Sequence, residues 1–437
     1  MPTSDSRNAA ASDTAPPNAS RDWAESGVMA LTGHRNGPPV LPPGRAATLA
    51  RKLSTRIAAA SALGGLPVLL DGARLLSERA AFTGRGRAGR ISPGGASRLL
   101  PAADGWAAVS CARPDDPLLL GALVGRDLGA DPWPEVTEWV LRHPVRELAV
   151  RAELLGLAAS PVTFPTAPAP FQPWFDHPVR PVSGLLVVDF SALWAGPLCA
   201  HILGLAGARV IKVETPQRPD GARRGNAGFY RLLHAGHASV VLDPGTAEGR
   251  RAMAALVEQA DIVIEASRPR ALAGFGLDAA AAVAAGCTWI SITAHGRGSD
   301  RVGFGDDVAA GSGLVAADGD GLPLFVGDAL ADPLTGLAAA ALAMSEPAAG
   351  GGILWDLPMS RVVAATLPAA SATGSPAGSA TAGSASATLD AAGRWQLRAG
   401  SDSYRVQSPQ PRSPTGDASA SGADTGSVLR RLGIRIP

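Results

Sequence analysis

The amino-acid sequence predicts an α/β protein, with a Rossmann-like parallel sheet in a large domain and a second, smaller α+β domain. Short runs rich in apolar and β-branched residues recur at 185–190, 209–214, 239–243, 261–265 and 289–293. Helical patterns, notably at 197–206 and 246–259, lie between most of these runs. Strands that are apolar on both faces and alternate with helices are typical of a parallel sheet covered on both sides. Open sheets of this kind bind ligands at the carboxyl ends of their strands, so we expect a ligand site there.

The smaller α+β domain is predicted at residues 95–160. Asp104-Gly105 is a turn signal directly before the β-rich run 106–110. Two helical patterns follow between residues 136 and 155. A stretch rich in Gly, Arg and Pro at 83–95 separates this compact unit from the helical segment before it.

Composition divides the rest of the chain. Residues 1–21 are polar and lack apolar periodicity, which predicts a disordered tail. Residues 22–60 carry a helical pattern, and the prolines of 161–182 predict a stiff linker. The remaining predicted segments are the large domain at 183–364, a low-complexity tract rich in Ala, Ser and Gly at 365–390, and a C-terminal tail at 391–437.

Charge and composition exclude several classes of protein. In 437 residues, 39 Lys and Arg face 38 Asp and Glu, so the formal net charge is +1. Nucleic-acid binding normally requires a strongly basic surface, so we expect no nucleic-acid partner. No apolar stretch is long enough to span a bilayer, and no export signal is visible at the N-terminus. We therefore expect a cytoplasmic protein with no membrane partner.

The three cysteines, Cys111, Cys199 and Cys287, lie far apart in the sequence and form no CxxC pair. This spacing indicates neither a disulfide framework nor a thiolate metal site. His234 and His237 are three residues apart, but no further His or Cys stands near them in the sequence. We therefore expect no metal.

The loop at 191–197 joins the first strand of the predicted sheet to a helix. Pro197 suits the first helical turn, Gly196 allows a ligand to approach closely, and a helix N-terminus favours phosphate. The loop is not a GxGxxG, and Glu214 at the end of the second strand is weak evidence for a dinucleotide by itself. On these local grounds a purely structural turn is an equal alternative.

A series of ordered sequence blocks runs through the predicted large domain. It begins with 187–190 and Ala195-Gly196-Pro197, and continues with 203–216, 239–243, 246–250, 260–265, 290–293 and 331–336. In this order the blocks resemble the family III CoA-transferases, the group of formyl-CoA transferase, carnitine CoA-transferase and α-methylacyl-CoA racemase. The resemblance implies transfer of CoA from an acyl-CoA thioester, bound as a substrate, to a carboxylic acid.

The resemblance also implies a catalytic role for Asp332, which matches the nucleophile of the family. A carboxylate can attack a thioester to form a mixed anhydride and then carry CoA as an aspartyl thioester. Because Asp followed by Pro starts helices well, Asp332 could instead cap the helix that begins at Pro333, and both roles can coexist. Asp306 or Asp307 falls where the family has an assisting acid. Adjacent carboxylates cannot point the same way, so we expect one of them, taken as Asp306, in the cleft.

CoA contacts are expected along the edge of the sheet. The resemblance, together with the location of the loops after the strands, implies that the following residues contact CoA: Trp194, Ala195, Arg223, Asp243, Ala266, Ser267 and Arg268. Arginine suits phosphate because its planar guanidinium donates two parallel hydrogen bonds. In an arginine-rich chain, however, Arg223, Arg224 and Arg268 could equally be surface cations.

The chain also departs from the family. Trp194 stands where formyl-CoA transferases have a substrate-site Gln, and their Gly-rich loop has no clear match here. The small domain precedes the large one, and 22–60 resembles a degenerate copy of the central block in which Thr48 replaces the nucleophile. Two alternatives therefore stay open: a non-catalytic homologue that binds CoA, and a 2-methylacyl-CoA racemase, against which the missing His of the racemases argues. Family members are interlocked dimers, which leaves a homodimer as one option for this chain.

Overall fold

The computed structural model describes residues 18–163, 176–267, 269–347, 351–368 and 385–436. Most of the predicted N-terminal tail, the centre of the predicted linker, Arg268 and most of the low-complexity tract lie outside these described residues.

The described chain begins with a helical N-terminal unit. Its helices are α1 (Ala19–Glu25), α2 (Ala46–Leu63), α3 (Gly72–Leu75) and α4 (Glu78–Thr83), with a 3-10 turn at Met29–Leu31. The Asn18 side chain accepts from the Arg21 backbone N–H and so caps α1. Thr48 lies on α2, buried, where its hydroxyl hydrogen-bonds to Asp22 of α1. Thr48 therefore ties two helices together, and its place in a degenerate copy of the central block stays a prediction.

A small α+β unit follows. It contains β1 (Ser97–Ala102), β2 (Gly105–Ser110), α5 (Asp116–Val124), α6 (Trp133–Arg142), α7 (Val145–Leu155) and β3 (Ala159–Pro161). The three strands form an antiparallel sheet in which Leu100 pairs with Ala107 and Val109 pairs with Ala159. The alternate residues of these strands and the apolar faces of the helices, including Leu120 and Val140, form a core of their own.

The large unit alternates strands and helices. The elements are β4 (Leu186–Asp189), α8 (Ala195–Leu205), β5 (Arg209–Glu214), α9 (Ala227–His234), β6 (Ala238–Val241), α10 (Ala247–Glu258), β7 (Ile262–Glu265), α11 (Pro269–Gly274), α12 (Ala279–Ala284), β8 (Thr288–Thr293), α13 (Gly305–Gly311), β9 (Val315–Ala317), β10 (Pro323–Phe325), α14 (Ala331–Ala343), β11 (Ile353–Pro358) and α15 (Met359–Ala364). A 3-10 turn at Gly221–Arg224 lies between β5 and α9.

Six of these strands form one parallel sheet in the order β11-β8-β7-β4-β5-β6. Val187 of β4 pairs with Val210 of β5 on one side and with Ile262 of β7 on the other. The predicted α/β class is therefore confirmed, with β11 as a strand that the sequence patterns did not reveal. Strand order reverses between β4 and β7, and this switch point opens a crevice at the carboxyl ends of the two strands.

Helices α8 and α14 cross closely beneath the crevice. A Cβ placed on Gly336 of α14 would lie 2.7 Å from the Ala195 carbonyl oxygen, so glycine is required for this approach. Helix α2 of the N-terminal unit packs on the same α14. Residues of the N-terminal and large units, including Leu53, Leu198 and Leu337, thus share one hydrophobic core.

The last described segment adds a small antiparallel sheet and a helix: β12 (Ser386–Leu389), β13 (Trp395–Ala399), β14 (Asp402–Arg405) and α16 (Thr425–Arg431). The Gln407 backbone N–H donates to the Ala24 carbonyl at 2.8 Å, and Asp424 accepts from the Ser239 backbone N–H at 2.8 Å. The segment therefore connects the N-terminal unit to the edge strand β6. Across the described ranges, every helix falls short of the length and apolarity needed to cross a membrane.

Lys212 holds the loop that forms one wall of the crevice. Its buried ammonium donates to the Ser191 carbonyl at 2.9 Å and pairs with Asp220 at 2.8 Å. Asp220 in turn accepts from the Leu193 backbone N–H at 3.0 Å. The pair thereby connects β5 to the loop after β4.

We predict that Lys212→Met lowers the free energy of unfolding by about 3–5 kcal/mol, because it leaves the buried Asp220 carboxylate without its cation. The matched control is Lys52→Met, which removes the chain's other lysine from an exposed position on α2. The control should change stability by less than about 0.5 kcal/mol. Urea unfolding measures both; equal effects of the two variants would contradict the role assigned to Lys212.

Candidate functional site

Two adjoining cavities open at the switch point of the sheet. The sheet-edge cavity, of about 370 Å³, lies against the loops that follow β4, β7 and β8. The larger cavity, of about 650 Å³, lies between these loops, the N-terminal unit and the small unit. The residues that line both are Arg113, Ala192, Leu193, Arg218, Phe304 and Asp332.

Asp332 lies in the first turn of α14, on the wall that the two cavities share. The helix has Leu330 as its N-cap, so Asp332 does not occupy the capping position that was the structural alternative. Burial raises the pKa of the Asp332 carboxyl to about 7, with Arg79 opposing and the carboxyls of Asp306 and Asp328 adding to the rise. The carboxyl thus titrates near neutral pH.

Gly305 allows the Asp332 carboxyl to lie where it does. A Cβ placed on Gly305 would come within 2.2 Å of Asp332 Oδ2 and 2.4 Å of the Ala329 carbonyl oxygen. Both distances are far shorter than a van der Waals contact, and the second involves backbone that cannot easily move. Only glycine at the start of α13 therefore fits beside this carboxylate.

Asp306, the second predicted acid, lines the larger cavity. Its carboxylate accepts from the Ala329 backbone N–H at 2.7 Å and from the Ser97 hydroxyl at 3.3 Å. Burial and the neighbouring Asp328 raise its pKa to about 6, while Arg79 opposes the rise. Ala329 has a left-handed φ of 47°, which points its N–H towards Asp306 at the expense of backbone strain.

Asp307 turns the other way. It is fully buried and accepts from the Ser110 hydroxyl at 2.8 Å and from the Phe304 backbone N–H at 2.9 Å. Its carboxylate thus connects α13 to β2 of the small unit. The structure therefore brings Asp306, and not Asp307, to the cavity that Asp332 also lines.

Trp194 is buried and precedes α8 as its N-cap residue. Its ring packs edge-on against Phe229 with centroids 5.4 Å apart, and the Arg79 guanidinium lies 4.7 Å from the ring centroid. The indole Nε1 has no hydrogen-bond partner within the described ranges. A bulky, fixed side chain thus forms part of the larger cavity's wall.

Three other predicted CoA contacts line the sheet-edge cavity: Ala195, Ala266 and Ser267. The buried Ser267 hydroxyl has no partner among the described residues and so can donate to a bound molecule. Gly196, expected to let a ligand approach, is instead approached by the Ser191 side chain, whose Cβ would lie 2.1 Å from an added Cβ. Arg268 lies outside the described residues.

Arg223 and Asp243 lie away from the linings of both cavities. Arg223 donates to Glu214 at 3.0 Å and to the Ser239 hydroxyl at 3.2 Å, and it stacks on Tyr230. Asp243 accepts from the Gln217 amide at 3.2 Å and from the Gly245 backbone N–H at 2.8 Å. Both make structural contacts, and a role in CoA binding stays a prediction.

Sequence reasoning missed most of the cations around the cavities. Arg79 and Arg85 come from the N-terminal unit, Arg113 comes from the small unit, and Arg218 and Arg301 come from loops of the large unit. Nothing distinguishes them from other arginines in a chain that has two lysines. Across the described ranges, no three His, Cys, Asp or Glu side chains lie together in a way that could hold a metal ion.

Part of the amino-acid sequence of this chain is similar to one protein family. Residues 182–391 match CoA-transferase family III. A succinate–glutarate CoA-transferase of Agrobacterium fabrum is 33% identical over 37% of this chain and 46% of its own length. A succinyl-CoA–D-citramalate CoA-transferase of Chloroflexus aurantiacus is 31% identical over 38% of this chain and 44% of its own length. This chain therefore spans less than half of the length of either relative.

One solved structure, a CaiB/BaiF family protein from Brucella suis, is 26% identical and covers 51% of this chain and 66% of its own, with a TM-score of 0.43. The likeness to CoA-transferase family III rests on the sequence matches.

We predict that Gly305→Ala displaces the Asp332 carboxylate and slows any reaction that uses this carboxylate at least about tenfold. The new methyl group would overlap both Asp332 Oδ2 and the Ala329 carbonyl oxygen. Gly298→Ala is the matched control, since a Cβ there meets nothing within 4 Å. Turnover and circular dichroism of both variants check the prediction. Full activity of folded Gly305→Ala would contradict it.

Proposed function

We propose that the protein transfers CoA from an acyl-CoA thioester to a carboxylic acid through a covalent intermediate on Asp332, because residues 182–391 match CoA-transferase family III. The observation that supports the proposal best is the position of Asp332. Its carboxyl lies on the wall shared by two cavities, one at the sheet edge and one between the three units. A group that exchanges bonds with both CoA and an acid must be accessible from both sides.

The reaction consists of four acyl transfers. The Asp332 carboxylate attacks the thioester carbonyl and expels CoA thiolate, which gives a mixed anhydride. The thiolate then attacks the aspartyl carbonyl, so the donor acid leaves as a carboxylate and CoA stays on Asp332 as a thioester. The acceptor carboxylate attacks that thioester, again expelling thiolate and forming a second anhydride. Attack of the thiolate on the acceptor's acyl carbon releases the new acyl-CoA and regenerates the Asp332 carboxylate.

The two cavities suggest a division of the substrates. CoA would enter the sheet-edge cavity, where Ser267 offers a free hydroxyl and the α8 N-terminus lies at Ala195. The acid portion would occupy the larger cavity beside Asp306. Binding in adjoining cavities holds the reacting atoms together and excludes the water that would hydrolyse an anhydride. Contacts from Arg223, Asp243 and Arg268 stay a prediction, as does a homodimer.

The direct test is to trap the intermediate. We expect hydroxylamine to convert acylated or CoA-bound Asp332 to a hydroxamate, and borohydride to reduce the aspartyl thioester to homoserine, once acyl-CoA has been added. Peptide mass spectrometry should place both products at residue 332, and Asp332→Asn should abolish them. Asp278→Asn, in which Asn can still cap α12, is the control that should label normally.

The outcomes separate the alternatives. Absence of label at Asp332 with several acyl chain lengths, while CoA still binds, would contradict the proposal and favour a non-catalytic homologue. Uptake of deuterium at the α-carbon of a 2-methylacyl-CoA in heavy water, without CoA exchange, would favour a racemase.

The charge of the larger cavity indicates an acid that carries a second negative charge. Five arginines and three aspartates line it. Within the described ranges, Arg85, Arg218 and Arg224 form no ion pair with the protein's own carboxylates, so they are available to an anion. Two relatives have names that refer to succinate, glutarate or D-citramalate.

We therefore predict that a dicarboxylic acid acceptor has a kcat/KM at least about tenfold above that of the monocarboxylic acid of equal chain length. Arg85→Gln and Arg224→Gln should each raise KM for the diacid and leave KM for the monoacid unchanged. Arg251→Gln, which breaks an exposed ion pair with Glu248, is the control. Equal effects on both acids would show that these arginines bind some other part of the substrates.

A further inference from the structure

Arg79 belongs to α4 of the N-terminal unit, but its guanidinium lines the larger cavity of the site. The guanidinium forms a bidentate ion pair with Asp328, with Nε and Nη2 donating at 2.8 Å and 2.6 Å. Its remaining nitrogen, Nη1, donates to none of the described residues. A residue far away in the sequence thus contributes a fixed cation to the site.

An ion pair and an aromatic ring fix the Arg79 guanidinium. Asp328 is fully buried, and among the described residues Arg79 is the cation that pairs with its carboxylate. The face of Arg79 lies over the Trp194 ring at 4.7 Å, and Trp194 is itself held by Phe229. A paired and stacked arginine is pre-organised, whereas a free surface arginine samples many rotamers.

Asp328, the partner of Arg79, lies shortly before Asp332, the proposed nucleophile, in the chain. Asp328 is followed by the strained Ala329, whose N–H binds Asp306, and by the first turn of α14 with Asp332. Three carboxyls therefore surround one short turn. Removal of the Arg79 charge would release the turn and leave these carboxyls to repel one another.

We propose that Arg79 is a positioning residue for the transfer reaction, which fixes the turn from Asp328 to Asp332 and places a positive charge in the cavity that Asp332 lines. The N-terminal unit is then a functional part of the site as well as a structural one. The proposal rests on the proposed function, because only a reaction at Asp332 requires an ionised carboxylate there.

The electrostatics agree with this role. Of the charged groups around Asp332, Arg79 lowers the pKa of its carboxyl, whereas Asp306 and Asp328 raise it. The opposing effect of Arg79 is larger than that of either carboxylate. Arg113 and Arg218, from the small unit and the loop after β5, line the same wall. Loss of Arg79 should therefore move the ionisation of Asp332 to higher pH.

The test measures this ionisation without relying on turnover. Carboxyl groups of protein labelled with carbon-13 aspartate are titrated by NMR, and the Asp332 signal is assigned by its loss in Asp332→Asn. We expect Arg79→Gln to raise the midpoint of the Asp332 titration by about one pH unit or more, and Arg79→Lys to keep it near that of the unmodified protein. Arg74→Gln is the control, since Arg74 is 44% exposed and lies on the outside of the same unit.

Activity provides the second readout. In Arg79→Gln, the acidic limb of the pH profile of kcat/KM should move to higher pH together with the NMR midpoint. Arg79→Lys should return this limb to its original pH, even if the maximal rate stays lower. Because Arg79→Gln leaves the buried Asp328 unpaired, Arg79→Gln/Asp328→Asn replaces the ion pair with two amides and tests the same shift in a better-folded background. The upward shift should persist there at smaller size.

An unchanged Asp332 midpoint in both folded Gln variants would overturn the role of Arg79, whatever the protein catalyses. A shifted midpoint in a protein that transfers no CoA would support the electrostatic role and contradict the proposed function instead. The two proposals therefore fail separately.

Discussion

The site depends on how three carboxyls are held around one turn of backbone at the start of α14. Asp328 is neutralised by Arg79, Asp306 is held by the Ala329 N–H, and Asp332 lies where only glycine at 305 leaves room. Burial alone would keep carboxyls protonated, and a nearby cation alone would keep them ionised. The balance of the two brings the pKa of the Asp332 carboxyl to about 7.

Three units of the chain meet at this turn and together form one site. The N-terminal unit contributes Arg79, the small unit contributes Ser97 and Arg113, and the large unit contributes Asp332 and the switch point of the sheet. Thr48, which the sequence resemblance places in a degenerate copy of the central block, is hydrogen-bonded within the core and lies outside both cavities.

Much of the fold could be predicted from the sequence, because strands such as Ile262–Glu265 are buried on both faces and alternate with amphipathic helices. The strand Ile353–Pro358 was missed because it pairs on one side only and carries Trp355 and Asp356, which weaken its apolar pattern. Asp306 and Asp332 were found through the family blocks, and the structure brings both to one cavity. Arg79 could not be found, because its role depends on a contact with Asp328 that periodicity and spacing do not encode.

The measurement that tests the account most directly is a crystal structure of the full chain with a non-hydrolysable CoA thioester analogue. We expect the CoA arm in the sheet-edge cavity, the acyl group in the larger cavity and the carbonyl analogue within about 3–3.5 Å of an Asp332 carboxylate oxygen. An analogue bound with its carbonyl position away from Asp332, or with both parts on one side of that residue, would contradict the account.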